Sequence, residues 1–178
     1  MAELILVRHG ETDWNRDCRY QGHADPPLNE TGRAQARELA RKLEMLELDA
    51  IYTSDLRRAA ETAEIIHEGR DIPLTRDAGL REVDVGSWSG LTRAEIEERF
   101  PGEATHDGET RDAHRERVVR AVTSIAAQHD GARILIVSHG GSLRALLAYA
   151  LQDESVPRVE NCAIYTLQFT DGLVPATD

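Results

Sequence analysis

Short, continuously apolar runs alternate along this chain with longer segments that have helical periodicity. Glu3–Val7 and Ile134–Val137 are the clearest runs, and Ala50–Thr53 is a third. Runs of this length without polar alternation are typical of strands buried on both faces, as in parallel sheets. The alternation therefore predicts an α/β fold, a three-layer α/β/α sandwich around a mostly parallel or mixed central sheet.

Helical segments occupy the stretches between these runs. Thr31–Leu46 has apolar residues at helical spacing and is predicted to start at Asn29 or Thr31. Ser54 is predicted to cap the next helix, which runs through Ile66. The remaining predicted elements are an edge strand at Pro73–Thr75, a helix capped by Thr92 and Glu95 that stops before Pro101, a loop at Glu103–Gly108, helices at Arg115–His129 and Ser142–Leu151, and a closing strand at Cys162–Phe169 with a turn at Asp171–Gly172.

Length and charge limit the classes of protein to which this chain could belong. The 178 residues predict a single domain, residues 1–178. A net charge of −11 argues against a nucleic-acid partner, because a phosphate backbone is normally met by a basic face. No run approaches the roughly 20 apolar residues of a membrane span, and nothing marks export, so we expect a cytoplasmic protein without a membrane partner. Cys18 and Cys162 show no paired spacing and are predicted to be free thiols.

Polar residues directly follow the three buried runs. Arg8 and His9 follow the first, Ser54–Arg58 the second and His139–Gly141 the third. Because the carboxyl ends of parallel strands meet at one edge of a sheet, we expect these residues to converge. Arginine forks match phosphate oxygens, glycine N–H groups near helix starts add positive dipoles, and an imidazole can accept a phosphoryl group. The sequence therefore predicts a phosphate site with a candidate nucleophile at this edge.

Other common enzyme motifs are absent. The chain has no Gly-Lys pair and so no phosphate loop of the Walker type. Gly86–Gly90 is similar to a nucleophile elbow, but Trp88 stands at the serine position. The other histidines show no metal-ligand spacing, so we predict neither a metal nor a cofactor. These histidines are His23, His67, His106, His114 and His129.

The order of these motifs resembles that of the histidine phosphatase superfamily, whose fold is phosphoglycerate mutase-like. Leu6–Thr12 with Trp14 and Asn15 is similar to the first motif of that family. Later motifs follow in the same order over nearly the whole chain. They are Gln21-Gly22, Asp25–Leu28, Ser54–Ala59 with Thr62, Leu80–Glu82 with Gly86 and Trp88, Gly108–Thr110 with Arg117, and Ser138–Gly141.

The resemblance implies a role for each matching residue. His9 would be the phosphorylated nucleophile and Glu82 the general acid and base, with Asp84 as the nearest alternative for that carboxyl. The catalytic residues that would hold the phosphoryl oxygens are Arg8, Arg58 and His139. The other substrate-binding positions are Asn15, Gln21, Gly22 and Gly140. Arg57 would be the outer, solvated arginine of its pair.

The residues after Glu82 favour hydrolysis. Val83–Gly90 and a next helix that ends at Phe100 resemble the phosphatase branch, whereas the mutases are longer and carry a basic insertion. The short Leu91–Arg111 segment also offers little material for a lid that excludes water. We therefore predict a metal-independent phosphomonoesterase of small phosphorylated metabolites that forms a phosphohistidine. The alternatives are phosphoryl transfer of the phosphoglycerate mutase type and a non-catalytic phosphate-binding protein.

Two further questions stay open from the sequence. Residues around the predicted pocket mouth would suit a second anionic group on the substrate, or would simply solvate a loop. These are Arg16, Arg19, Tyr20, Gln21 and His23 on one side and Trp88 with Leu91–Arg111 on the other. Cys162–Phe169 could form an edge strand, and edge pairing would be one route to a homodimer.

Overall fold

A six-stranded sheet forms the centre of this computed structural model, which describes residues 1–102 and 105–176. The strand order is β3-β2-β4-β1-β5-β6. The first four strands in this order run parallel, and β5 and β6 join antiparallel, so the sheet is mixed as well as mostly parallel. The strands are β1 (Ala2–Arg8), β2 (Ala50–Thr53), β3 (Leu74–Arg76), β4 (Arg133–Ser138), β5 (Ile164–Phe169) and β6 (Leu173–Pro175).

Helices cover both faces of the sheet, which confirms the predicted three-layer α/β/α sandwich. One apolar core lies between the sheet and α2 with α3, and a second lies between the sheet and α5 with α6. Within the described ranges, no helix has the length and hydrophobicity needed to cross a membrane. The helices are α1 (Asp13–Arg16), α2 (Glu30–Lys42), α3 (Arg57–His67), α4 (Arg93–Arg99), α5 (Arg111–Ala127) and α6 (Gly140–Leu151).

The central strands are apolar throughout because both of their faces are buried. In β1, Leu4 and Leu6 belong to the core beneath α5 and α6, whereas Ile5 and Val7 belong to the core beneath α2 and α3. Successive side chains of a strand point to opposite faces, so a strand between two helical layers has no polar face. The same arrangement in β4 explains why the sequence predicts these two strands best.

Two predictions about the edges and caps are wrong. The strand at Cys162–Phe169 is not an edge, because β5 pairs with both β1 and β6. The outer strand β6 was not predicted, since it is only Leu173–Pro175 and its proline lacks an N–H donor. Ser54 does not cap α3, whose N-cap is Leu56; the Ser54 hydroxyl instead accepts the Leu56 N–H at 3.3 Å.

Other elements differ only in their bounds. The capping box of Thr92 and Glu95 is present at the start of α4. Helix α5 begins four residues before its predicted start, because the hydroxyl of Thr110 accepts the Ala113 N–H and caps it. In the predicted loop, Glu103 and Ala104 lie outside the described residues, and residues 105–108 form neither helix nor strand.

Candidate active site

His9 lies directly after β1 with its ring tautomer fixed. Its Nδ1 is 2.6 Å from the carbonyl oxygen of Gly10, which can only accept, so Nδ1 carries the hydrogen. Burial, with further contributions from Arg58 and Arg8, holds the pKa of His9 well below its usual value. The ring is therefore neutral near pH 7, and Nε2 keeps its lone pair. Asn161 donates to the His9 carbonyl at 2.8 Å and fixes the backbone.

Two buried guanidinium groups flank this imidazole. Arg58 is 1% exposed and donates to the carbonyls of Ala24 and Gly22 at 2.7 and 2.9 Å. Arg8 donates to the Val159 carbonyl at 2.6 Å. Burial lowers the pKa of both, to about 10 for Arg58. The buried Nε atoms of both have no hydrogen-bond partner among the described residues, so an incoming anion would supply acceptors that the protein lacks.

His139 follows β4 and stands face to edge with His9. The ring centroids are 5.2 Å apart at an interplanar angle of 61°. His139 is fully buried, and neither of its ring nitrogens has a hydrogen-bond partner in the described part of the chain. Burial, followed by the charge of Arg58, holds the pKa of His139 well below its usual value. A bound phosphoryl dianion would act in the opposite direction on this pKa, because its negative charge stabilises a protonated ring.

Glu82 lies in the loop after a short 3₁₀ turn at Ala78–Leu80. Its two carboxylate oxygens accept the N–H groups of Val83 at 2.9 Å and Gly141 at 2.8 Å. A Cβ on Gly141 would lie 2.4 Å from Oε1, so the carboxylate can take this position only beside a glycine. The alternative residue Asp84 instead accepts the Gly86 N–H at 2.9 Å and does not line the cavity described next. The geometry therefore favours Glu82 over Asp84 as the candidate general acid and base.

A cavity of 460 Å³ brings most of the predicted site residues together. His139 is absent from its lining, although its ring packs against that of His9. The side chains of Asn15 and Gln21 are positioned by Thr12, whose N–H and hydroxyl donate to their amide oxygens at 3.1 and 2.9 Å. Their NH₂ groups remain as donors. The predicted residues that line the cavity are Arg8, His9, Asn15, Gln21, Gly22, Arg58, Glu82 and Gly140.

The predicted pocket mouth is only partly correct. Arg19, Tyr20 and Gln21 line the cavity, and Arg93 and His106 reach it from the opposite segment. The other three predicted side chains do not line it. His23 contacts the Glu82 carbonyl at 2.9 Å, Trp88 packs against Tyr20, and Arg16 pairs with Asp13 and Asp17.

An ion pair holds the loop that carries Glu82. The guanidinium of Arg117 makes a two-point contact with the Glu109 carboxylate at 2.9 and 2.7 Å. It also donates to three carbonyls of the 3₁₀ turn and the loop, those of Gly79, Arg81 and Glu82, at 3.0, 3.0 and 3.1 Å. Arg117 does not line the cavity, so the pair positions Glu82 through the backbone.

Replacing Arg117 with methionine should lower kcat about tenfold or more and leave KM nearly unchanged, because the loop loses its anchor while the phosphate site keeps its arginines. Removing charged hydrogen bonds from a largely buried pair should also cost about 2 kcal/mol of unfolding free energy. Steady-state kinetics and urea unfolding measure both effects. Arg120→Met is the matched control, since Arg120 is exposed on the same helix. An equal loss in both variants would contradict a positioning role.

His114 is a buried neighbour of Glu82 that we did not predict as a site residue. Its Nε2 is 3.0 Å from the Ser142 hydroxyl and 3.7 Å from Oε1 of Glu82. Ser142 donates to the Arg81 carbonyl, so its oxygen accepts the His114 proton. The spacing of His114 with Val118 and Val122 on the buried face of α5 was a usable signal. No sequence signal marks Asn161, because it lies in an irregular segment.

Buried neutral histidines make stability depend on pH. The pKa values of His9, His114 and His139 are all lowered, chiefly by burial. Below about pH 6.5 the unfolded chain binds protons at these positions and the folded chain does not, so the free energy of unfolding should fall. Urea unfolding at pH 7.5 and 5.5 measures the loss. His114→Gln should reduce the pH dependence; equal wild-type stability at both pH values would refute this.

Across residues 1–102 and 105–176, no group of three or more His, Cys, Asp or Glu side chains is arranged to hold a metal ion. Cys18 and Cys162 are free thiols, as predicted. Burial raises the pKa of the Cys162 thiol to about 11, which makes it a poor nucleophile.

Comparison with known proteins gives one consistent family. The phosphatase PhoE of Bacillus subtilis, named as uncharacterized, is 37% identical over 147 residues, 83% of this chain and 76% of that protein. The metal-independent phosphoserine phosphatase of Arabidopsis thaliana is 35% identical over 185 residues, 96% of this chain and 78% of that protein. A relative from Citrobacter koseri named probable phosphoglycerate mutase GpmB is 34% identical over 193 residues, 97% of this chain and 87% of that protein.

The solved structures agree with the sequence relatives. YhfR of Bacillus stearothermophilus superposes with a TM-score of 0.93 at 37% identity, over 100% of this chain and 96% of that one. The family model of the histidine phosphatase superfamily (branch 1) matches residues 4–175. With its paired histidines and arginines at the carboxyl edge of the sheet, this chain therefore belongs to the histidine phosphatase superfamily, branch 1, and is an enzyme of the phosphatase class.

Proposed function

We propose that this phosphatase hydrolyses small phosphomonoesters without a metal ion, through a phosphohistidine on His9. The main support for this proposal is the tautomer of His9. The Gly10 carbonyl binds the Nδ1 hydrogen at 2.6 Å and leaves Nε2 as the nucleophilic nitrogen beside two buried guanidinium groups.

The phosphoryl group would be held by charge and by fixed donors. Arg8, Arg58 and His139 each have a buried nitrogen that lacks a partner among the described residues, and phosphoryl oxygens would accept from them. The amide groups of Asn15 and Gln21 and the N–H of Gly140 at the start of α6 would complete the cradle. Such preorganised donors stabilise the charge on the transferring group.

Two steps then complete hydrolysis. Nε2 of His9 bonds to phosphorus as the ester P–O bond breaks, and protonated Glu82 gives its proton to the leaving oxygen. A water next bonds to phosphorus as the P–N bond breaks, and Glu82 takes the proton from that water. His9 and Glu82 return to their starting states, and inorganic phosphate leaves.

The mutase-named relatives make phosphoglycerate interconversion the second reaction to consider. A mutase must return the phosphoryl group to its substrate and keep water away meanwhile. Between the 3₁₀ turn at Gly86–Trp88 and α5, the described residues form only the seven-residue helix α4. This supports hydrolysis as the main reaction. A purely binding role is disfavoured, because every residue that the chemistry needs is present.

The test is phosphate release from a panel of phosphomonoesters with EDTA present. The panel should include phosphoserine, since one relative is named for it, together with phosphoglycerate, sugar phosphates and ribazole phosphate. We expect turnover of at least one ester that EDTA does not reduce. Turnover that EDTA abolishes, or phosphoglycerate interconversion without phosphate release, would overturn the proposal.

A further inference from the structure

A second cavity adjoins the catalytic one. A neighbouring cavity of 490 Å³ lies over α5 and α6, beyond Glu82. Because the two share lining residues, these residues stand at the boundary between the catalytic cavity and the second one. The shared residues are Val83, His106, Gly141 and Arg144.

Most of the arginines that line these two cavities already have a partner. Arg8 and Arg58 belong to the phosphoryl site described above. Several others are paired with carboxylates, which leaves them little net charge to offer a ligand. These are Arg19 with Glu95 at 2.7 Å, Arg93 with Glu97 at 2.9 Å, Arg115 with Glu154 at 2.6 Å, and Arg111, also with Glu154.

Two arginines have no close carboxylate partner among the described residues. Arg158 lines the first cavity alone and is 3.9 Å from Glu160, whereas the other, Arg144, lines both cavities. Its one hydrogen bond to the described residues is from Nε to the Val156 carbonyl at 3.3 Å, and it forms no ion pair with them. It lies three residues after Gly141 on α6, hence on the same helix face and about 4.5 Å farther along the axis. Gly141 donates to Glu82, so Arg144 stands one turn beyond the carboxyl that protonates the leaving group.

The charge around Arg144 favours an anion. The acidic side chains among the lining residues are Glu82 in the first cavity and Glu154 in the second, and Glu154 is bound by Arg111 and Arg115. The protein as a whole carries a charge of −11. A local excess of cations in an acidic protein attracts anionic ligands to that place.

We propose that Arg144 binds a second anionic group on the leaving portion of the substrate, a carboxylate or a second phosphate. The preferred substrates are then phosphomonoesters that carry such a group a few bonds from the ester oxygen. The inference rests on the proposed function for the position of the phosphoryl group. It assigns Arg144 to specificity and not to the chemical step.

The kinetic test compares two esters that differ mainly in the distal charge, 3-phosphoglycerate and glycerol 3-phosphate. Wild type should prefer 3-phosphoglycerate, and Arg144→Gln should reduce the ratio of the two kcat/KM values about tenfold, as expected for one charged hydrogen bond. Arg144→Lys should restore part of the ratio. Arg37→Gln, on the exposed face of α2, is the control and should keep it. A ratio unchanged in Arg144→Gln would overturn the inference. The same assay with a bisphosphate ester shows whether Arg144 prefers a second phosphate or a carboxylate as the distal group.

A binding test separates this inference from the proposed function. Calorimetry with the His9→Ala background measures the Kd of both esters without turnover. A roughly tenfold loss of 3-phosphoglycerate affinity on adding Arg144→Gln, with glycerol 3-phosphate changed less, supports the subsite even if no ester is hydrolysed. Equal losses for both esters, or binding of neither, would overturn it.

Discussion

Replacing His9 with alanine is expected to lower kcat/KM for phosphate release by about 10⁴-fold or more, because the variant loses the nucleophile that lies between the two buried guanidinium groups. Nε2 of His9 has a free lone pair in the cavity, whereas His139 does not line it. The measurement is phosphate release under single-turnover and steady-state conditions with EDTA present.

The control for this variant is His129→Ala, a histidine that contacts Tyr52 far from the cavity. It should keep wild-type activity. Urea unfolding checks that His9→Ala is folded under assay conditions. Residual activity above about one hundredth of wild type in a folded His9→Ala protein would mean that another group attacks phosphorus or that water attacks the ester directly.

Replacing Glu82 with glutamine should lower kcat by about 10²- to 10⁴-fold for alkyl phosphates, the usual contribution of a general acid or base. The amide keeps the size of the side chain but cannot give a proton to the leaving oxygen. With 4-nitrophenyl phosphate the leaving group needs little protonation, so the first step should recover. The second step should stay slow, because water lacks its base, and a burst of nitrophenol should precede steady turnover.

Asp84→Asn is the matched control for Glu82→Gln. Asp84 accepts the Gly86 N–H at 2.9 Å, and asparagine keeps that oxygen acceptor. Its kcat should therefore stay within about threefold of wild type, as expected for a side chain outside the chemistry. If Asp84→Asn were the severely impaired variant and Glu82→Gln were not, the acid and base would have to be reassigned.

The sequence predicts the buried parts of the fold well because burial leaves a pattern. Strands β1 and β4 are apolar on both faces, and helices α2 and α5 have one apolar stripe. The rule that ligands bind at the carboxyl ends of parallel strands then brings His9, Arg58 and His139 together. In the structure His9 and Arg58 line one cavity, and the ring of His139 packs against that of His9.

Loop residues leave no such pattern. Glu82 was singled out by its resemblance to a family motif, since nothing in its neighbours marks a carboxyl held between Val83 and Gly141. Asn161 acquires its contact with His9 from a segment distant in sequence, so spacing could not reveal it. The edge position predicted for β5 failed for a related reason, because the short strand β6 that covers it has almost no apolar pattern.

Trapping the covalent intermediate tests the central claim most directly. The Glu82→Gln protein, in which breakdown of the intermediate should be slow, is mixed with ³²P-labelled 4-nitrophenyl phosphate and quenched in alkali, where phosphohistidine is stable. Peptide mass spectrometry then locates the label. We predict an acid-labile phosphoryl group on His9 that forms fast enough to account for the burst. A labelled residue other than His9, or turnover in wild type without any phosphoenzyme in either protein, would contradict the mechanism.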